Sequence, residues 1–176
     1  MNKYMLLVII SIAAGLLSGI FRPMFFSDND LGQLTANLQG FVAYFGIAPR
    51  PAAALAESLL IYGRPLLLIW ACAPLGRAFY AAYLLLYLRA LAFGFSTAMM
   101  VRAFGGQGLA YAAALYLPQN ILIVPIYAYT IYQIGVNRAE GLRPLIPRIA
   151  AVGVLGVLAT VILEVYITPA IFTLFG

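Results

Sequence analysis

Four charged side chains lie inside long apolar stretches of the sequence: Glu57, Arg64, Arg89 and Glu164. On insertion scales, a charge near the centre of a membrane span costs about 2.5 to 3.5 kcal/mol, so it is usually paired, hydrated or functional. A carboxylate in such a place could carry protons, and an arginine could hold an anion. Three interpretations follow: internal pairing that stabilises a helix bundle, a proton or ion path, and a partner-binding or gating role.

Two prolines interrupt the apolar stretch 109–134, within the sequence L-P-Q-N-I-L-I-V-P at 117–125. Pro118 and Pro125 lack an N–H group, so in a helix each leaves a carbonyl four residues upstream without its usual donor. We therefore expect a helix that is kinked or broken here, with the gap filled from within the bundle.

Between these prolines, Gln119 and Asn120 add two side-chain amides at membrane depth. An unpaired polar group in lipid costs several kcal/mol, on the order of the transfer penalty of an amide, so both amides should turn inward. They could form hydrogen bonds that hold the bundle together. Alternatively, they could mark a half-helix N-terminus whose free N–H groups point into a cavity.

The sequence lacks the residue patterns on which common enzymes depend. It has no histidine, a single cysteine (Cys72), no glycine-rich phosphate loop and no serine in a nucleophile-elbow context. Most catalytic, metal and cofactor sites are built from such groups. Catalysis would have to rest on carboxylates, and we expect neither a metal nor a cofactor.

The composition excludes an ordinary soluble domain. Of 176 residues, 65% are hydrophobic and 9% are charged, and the mean hydropathy is +1.01. The ten basic residues are scattered singly, so a nucleic-acid-binding surface is not expected. The sequence predicts one integral membrane domain, residues 1–176, surrounded by the lipid bilayer of the cell membrane.

About 20 apolar residues cross a bilayer as a helix, and almost the whole chain is used by stretches of this length. The first is read as a retained anchor rather than a signal peptide, because its apolar region is long and further spans follow at once. In the second, Pro65 predicts either a kink or a shallow first half. The five predicted spans are 4–21, 52–73, 78–101, 109–134 and 149–168.

Small residues recur at helical spacing in two of these spans. Ser11, Gly15 and Gly19 share one face of the first span, and Gly153 with Gly156 lies in the last. Such positions let another helix approach closely. The partner could be a helix of the same chain or a second copy, so a homodimer is a further expectation.

Between the first two spans, residues 28–47 predict an amphipathic helix at the membrane surface. Apolar residues recur at spacings of three and four, and polar ones fall on the other side. This helix could pack across its own bundle or serve as a docking surface for a partner. The apolar positions are Leu31, Leu34, Leu38, Phe41, Val42 and Phe45.

The loop charges predict the orientation of the bundle. With the N-terminus inside, the inner loops carry Lys3, Arg77, Arg138, Arg143 and Arg148, and the outer loops carry Arg22, Arg50 and Arg102. Asp28 and Asp30 also fall outside. The expected topology is N-in and C-out, with the amphipathic helix external.

Several of these segments resemble the stage II sporulation protein M family, the membrane component of the machinery that engulfs the forespore in endospore-forming bacteria. Pro-Gln-Asn at 118–120, followed by Ile-Val-Pro up to Pro125, is similar to that family's most specific segment. L-L-L-I-W at 66–70 is similar to its second span. The stretch 87–95, with Arg89 ahead of Gly-Phe, is similar to its third, and Glu164 with Pro169 is similar to its end.

The resemblance implies a noncatalytic scaffold in the septal, mother-cell engulfing membrane of a sporulating bacterium. Its implied partners are two extracytoplasmic cell-wall hydrolases, the stage II sporulation proteins D and P, which it would localise and activate. An alternative from another class is a small transporter or channel subunit that uses the intramembrane glutamates and arginines as a polar path.

Overall fold

The structure is a computed structural model of the chain and describes residues 2–45, 53–138, 141 and 143–172. The described residues are helical almost throughout and contain no strand. Short 3₁₀ turns lie at Arg22–Phe25 and Gly76–Tyr80, and a π-helical turn lies at Leu163–Ile167. The α-helices are α1 (Lys3–Phe21), α2 (Asp28–Phe45), α3 (Ala53–Cys72), α4 (Ala81–Phe104), α5 (Gly106–Asn137), α6 (Ile146–Ile162) and α7 (Thr168–Phe172).

Five helical segments are long and apolar enough to cross a membrane: Lys3–Phe25, Ala54–Cys72, Ala81–Phe104, Gly106–Asn137 and Ile146–Phe172. Each contains one of the predicted spans or most of it. Their outer surfaces remain apolar, and Leu17, Leu67 and Leu155 are each more than half exposed. Contiguous apolar surface of this kind fits lipid rather than water. The prediction of an all-α, multi-pass membrane protein is confirmed.

The helices run without interruption through the prolines at which a kink or break was expected. Helix α3 continues past Pro65, and α5 continues past Pro118 and Pro125. No break occurs at these positions. Each proline removes one backbone N–H donor, and a membrane helix tolerates the loss of a single hydrogen bond when neighbouring groups satisfy the freed carbonyl. A bend at each proline stays a prediction.

Helices α1 and α4 form a close, parallel pair built on glycine. An added Cβ at Gly19 would lie 2.7 Å from the backbone N of Phe95, and one at Gly94 would lie 2.5 Å from the backbone O of Leu16. At Gly15, an added Cβ would meet Ala90 Cβ at 2.8 Å. The small-residue face of the first span is therefore filled by α4 of the same chain and gives no support to a homodimer, which stays a prediction.

Helix α6 uses its glycines against two other helices. A Cβ at Gly153 would lie 2.9 Å from Leu66 Cδ2 of α3, and one at Gly156 would meet Ile126 of α5. The close packing predicted for both glycines is thus within the chain. Around it lies the main apolar core, which includes the fully buried Ile69, Leu86, Ile123 and Ile131.

Helix α2 confirms the predicted amphipathic helix over Asp28–Phe45; residues 46 and 47 lie outside the described residues. Its apolar side faces the bundle, because Leu31 is buried and Leu38 and Val42 pack against a small core around Met100 and Leu115. Packing on its own bundle is therefore observed, and an external position stays a prediction.

The bundle has two opposite faces. One, here called the N-terminal face, joins the start of α1 to the end of α5, since Gly135 abuts Tyr4. It also brings Arg138 to the turn between α3 and α4, where its Nη1 donates to Gly76 O at 2.6 Å. The other, the α2 face, carries α2. The N-in orientation would place the N-terminal face in the cytoplasm and stays a prediction.

Candidate functional site

Arg89, in the middle of α4, is bound to Asn120 in the middle of α5. Its Nε donates to Asn120 Oδ1 at 3.1 Å. The other end of the same amide is also engaged, because Asn120 Nδ2 donates to the backbone O of Tyr116 at 2.6 Å. Asn120 therefore ties the guanidinium to α5, as expected for a charge-assisted hydrogen bond in a low-dielectric interior.

Tyr62 of α3 supports Arg89 from a third helix. The Arg89 guanidinium carbon lies 5.0 Å from the centre of the Tyr62 ring, a cation–π distance. The backbone of Tyr62 is held in turn by Tyr127 of α5, whose hydroxyl donates to Tyr62 O at 2.5 Å. These contacts fix the arginine between α3, α4 and α5.

Glu164 approaches the same place from the last span, within the π-helical turn Leu163–Ile167. Its side chain lines the same cavity as Tyr62, and its Oε2 is buried with no hydrogen-bond partner in the described part of the chain. π-helical turns inside α-helices occur frequently at functional sites, because the extra residue changes the direction of a side chain. Here the turn marks the segment that carries the carboxylate.

Gln119 behaves differently from its neighbour Asn120. Its Nε2 donates to Leu115 O of its own helix, while its Oε1 is buried without a partner among the described residues. Both amides are buried, as predicted. Their N–H donors bond to the carbonyls of Leu115 and Tyr116 within α5, which is continuous here, so no half-helix end forms at this position.

These groups line a partly open cavity of about 220 Å³. It contains one cation, one carboxylate, two amides and the hydroxyl side chains of Ser96 and Thr168. Phe41 of α2 lines it as well, so it lies towards the α2 face. The arrangement can hold a polar or charged group at membrane depth. Among the described residues, no group of three or more His, Cys, Asp or Glu side chains could hold a metal ion.

Internal pairing of the two acids with the two bases is one of the three interpretations of the sequence, and of these four residues the structure brings only Arg89 and Glu164 to one site. Glu57 and Arg64 are exposed on α3 and do not line this cavity. Arg89 is bonded to an amide rather than to a carboxylate. Glu57 and Arg64 are therefore not members of this site, and the pairing of the acids with the bases stays a prediction.

Sequence reasoning missed Tyr62, Ser96 and Thr168 as members of the site. A signal for two of them is present, since residues four or seven apart share a helix face. Thr168 follows Glu164 by four residues, and Ser96 follows Arg89 by seven. For Tyr62 the sequence holds no comparable signal, because its role depends on how α3 packs against α4.

We expect Asn120→Leu to lower the free energy of unfolding by about 1 to 2 kcal/mol, because it removes the bond that joins α4 to α5. Gln119→Leu is the matched control: its donor stays within its own helix, and its Oε1 has no partner to lose. Unfolding in mixed micelles of SDS and a nonionic detergent measures both. An equal loss in the two variants would mean that the bond to Arg89 contributes nothing of its own.

Comparison of the chain with models of protein families, with curated proteins and with solved structures finds no match to any of them.

Proposed function

We propose that this protein is a noncatalytic membrane scaffold that localises and activates cell-wall hydrolases at the septal, engulfing membrane of an endospore-forming bacterium. The observation that carries the proposal is the convergence of residues far apart in sequence. Arg89, Asn120 and Glu164 come from three of the four segments that resemble the stage II sporulation protein M family, and all three line one cavity.

The position of the cavity supports a role in holding a partner. It is partly open, and Phe41 of α2 lies at its edge. With the N-terminus inside, the α2 face lies on the side of the membrane where peptidoglycan is found. The proposed partners are the stage II sporulation proteins D and P, which would dock near α2 and place a polar group against Arg89 and Glu164.

A small transporter or channel subunit is the second candidate, since Arg89 and Glu164 lie in one membrane cavity. The apolar core between this cavity and the N-terminal face argues against the transporter candidate. Ile69, Leu86, Ile123 and Ile131 are all fully buried there. A polar path through the bundle would have to open this apolar layer.

We expect the protein in lipid nanodiscs to capture both purified hydrolases and Glu164→Gln to weaken that capture about tenfold or more, since it removes a charge from the docking site. The control Glu57→Gln removes the same charge from an exposed position of α3 and should leave capture unchanged.

The same variants test the transporter candidate in a flux assay. Liposomes containing the wild-type protein are expected to show no proton or solute flux above that of empty liposomes. Flux that Glu164→Gln abolishes, without capture of either hydrolase, would overturn the scaffold proposal.

A further inference from the structure

A second and larger cavity lies at the opposite end of the bundle, on the N-terminal face. It has a volume of about 620 Å³, within the range of about 300 to 1,000 Å³ typical of small-molecule sites. It lies where α3 and α5 end and α6 begins. Its walls are mostly apolar and include Trp70, Ala73, Ile134, Ile146 and Ile149.

Two arginines, Arg138 and Arg143, line this cavity. Arg138 is half-buried and held in place, because its Nη1 donates to Gly76 O at 2.6 Å and its guanidinium carbon lies 5.4 Å from the centre of the Phe79 ring. A guanidinium has five N–H groups, so most remain for a ligand. Arg143 is exposed and lines the same cavity. Together they supply two positive charges above an apolar space.

The N-terminus of α6 adds a third, independent attraction for an anion. The helix begins at Ile146, its N-cap residue Leu145 makes no side-chain capping bond, and its first turn contains no acid. The first N–H groups of a helix lack intrahelical partners and carry the positive end of the helix dipole; in α6 Pro147 has no N–H, so the amides of Ile146 and Arg148 are the donors of this turn. Ile146 itself lines the cavity, so this helix end is part of the site.

We propose that this cavity binds an anionic phospholipid, with its phosphate between Arg138 and Arg143 and part of an acyl chain against Trp70 and Ile149. The site combines what such a lipid needs, a cationic rim and an apolar interior, at the ends of spans where headgroups lie. Basic pockets between membrane helices bind acidic headgroups for the same reason. Lys3 and Arg148 on the same face add to the attraction for anionic lipid. This site is separate from the cavity around Arg89, and it does not rest on the proposed scaffold function.

The single tryptophan of the chain, Trp70, lines this cavity and also a groove between α3 and α6, so variants at the arginines of the cavity assign the quenching to one of the two places. The protein is reconstituted in phosphatidylcholine with increasing fractions of phosphatidylglycerol whose acyl chains carry bromine, a contact quencher of indole fluorescence. Brominated phosphatidylcholine is titrated in parallel. The ratio of the two association constants measures the preference for the anionic lipid, and random contact of lipid with Trp70 cancels in this ratio.

We expect a clear preference for phosphatidylglycerol, which Arg143→Gln lowers about fivefold, the effect of roughly one basic residue near an anionic lipid. The control Arg148→Gln removes an equal charge from the same face. Because Arg148 does not line the cavity and acts only through screened solvent, this variant should change the preference about twofold at most. Arg143 is exposed, so its replacement is not expected to alter the fold, and an unchanged Trp70 emission maximum without brominated lipid checks this.

Equal quenching by the two lipids in the wild-type protein, or equal losses in the two variants, would overturn the proposal. Inorganic phosphate is added as a further arm, with chloride at the same ionic strength as reference. It should not relieve quenching by brominated phosphatidylglycerol. Relief by phosphate alone would assign the two arginines to a soluble anion and overturn the assignment to a lipid.

Discussion

Arg89→Met is expected to lower the free energy of unfolding by about 3 kcal/mol, because it takes the cation away from a cavity that also holds a carboxylate. Three interactions disappear together: the hydrogen bond to Asn120 at 3.1 Å, the cation–π contact with Tyr62 at 5.0 Å and the attraction between the Arg89 cation and the Glu164 carboxylate. Removal of one charge in a low-dielectric site is costly, since the opposite charge stays behind without compensation. Unfolding in mixed micelles measures the loss.

Arg64→Met is the matched control for this prediction. Arg64 also lies within a membrane-spanning helix, but its side chain is exposed, so its replacement should change the free energy of unfolding by no more than about 0.5 kcal/mol. A similar loss in the two variants would show that any arginine in a span matters, rather than the site around Arg89.

The double variant Arg89→Met with Glu164→Leu sharpens the same prediction. Replacement of both charges by apolar side chains removes the uncompensated carboxylate, so the double variant should be more stable than Arg89→Met alone. If it is equally unstable or less stable, Glu164 is not the group that needs the cation, and the loss comes from Asn120 and Tyr62.

The spans were predictable because hydropathy alone fixes them, and the largest differences lie at turns. The glycines around the turn between α4 and α5 suggest a loop, yet one residue, Gly105 at φ +60°, separates the two helices. Gly106 and Gly108 already belong to α5. Gly108 lies against the backbone of Met100, where a Cβ would clash, so its type reflects a close helical hairpin rather than a loop.

The depth of each charged residue could be predicted, but its direction could not. In a soluble helix the apolar face points to the core, so a polar residue on the other face points to solvent. In lipid the helices are apolar all round, and this signal is lost. Glu57 and Arg64 on α3 therefore look like Glu164 and Arg89 in the sequence, although the first two are exposed and the last two line one cavity.

Side-chain amides carried more information than charges. Burial of Gln119 and Asn120 followed from the cost of leaving an amide unpaired in lipid, and both are buried. Their partners were not predictable, because the bond from Arg89 depends on the register of α4 against α5. The π-helical turn at Glu164 was equally hidden, since it depends on how the last span packs rather than on its own sequence.

The glycines between α1 and α4 give the second large prediction. We expect Gly19→Ala and Gly94→Ala each to lower the free energy of unfolding by about 1 to 3 kcal/mol, the usual cost of overpacking a close contact. A methyl group at either position would meet backbone atoms at 2.7 Å or less, and backbone cannot move aside as a flexible side chain does. The two helices would have to separate along their whole contact.

Separation of the helices also predicts how the two substitutions combine. Once α1 has moved away for one methyl group, the second is accommodated at little further cost, so the double variant should lose less than the sum of the single losses. Gly63→Ala is the control, because Gly63 lies inside α3 with no atom within 4 Å of an added Cβ. Alanine should leave stability unchanged there or raise it by about 0.4 to 1 kcal/mol. Strict additivity of Gly19→Ala and Gly94→Ala would mean that the helices adjust locally at each methyl group. It would contradict the expectation that α1 and α4 separate as rigid helices.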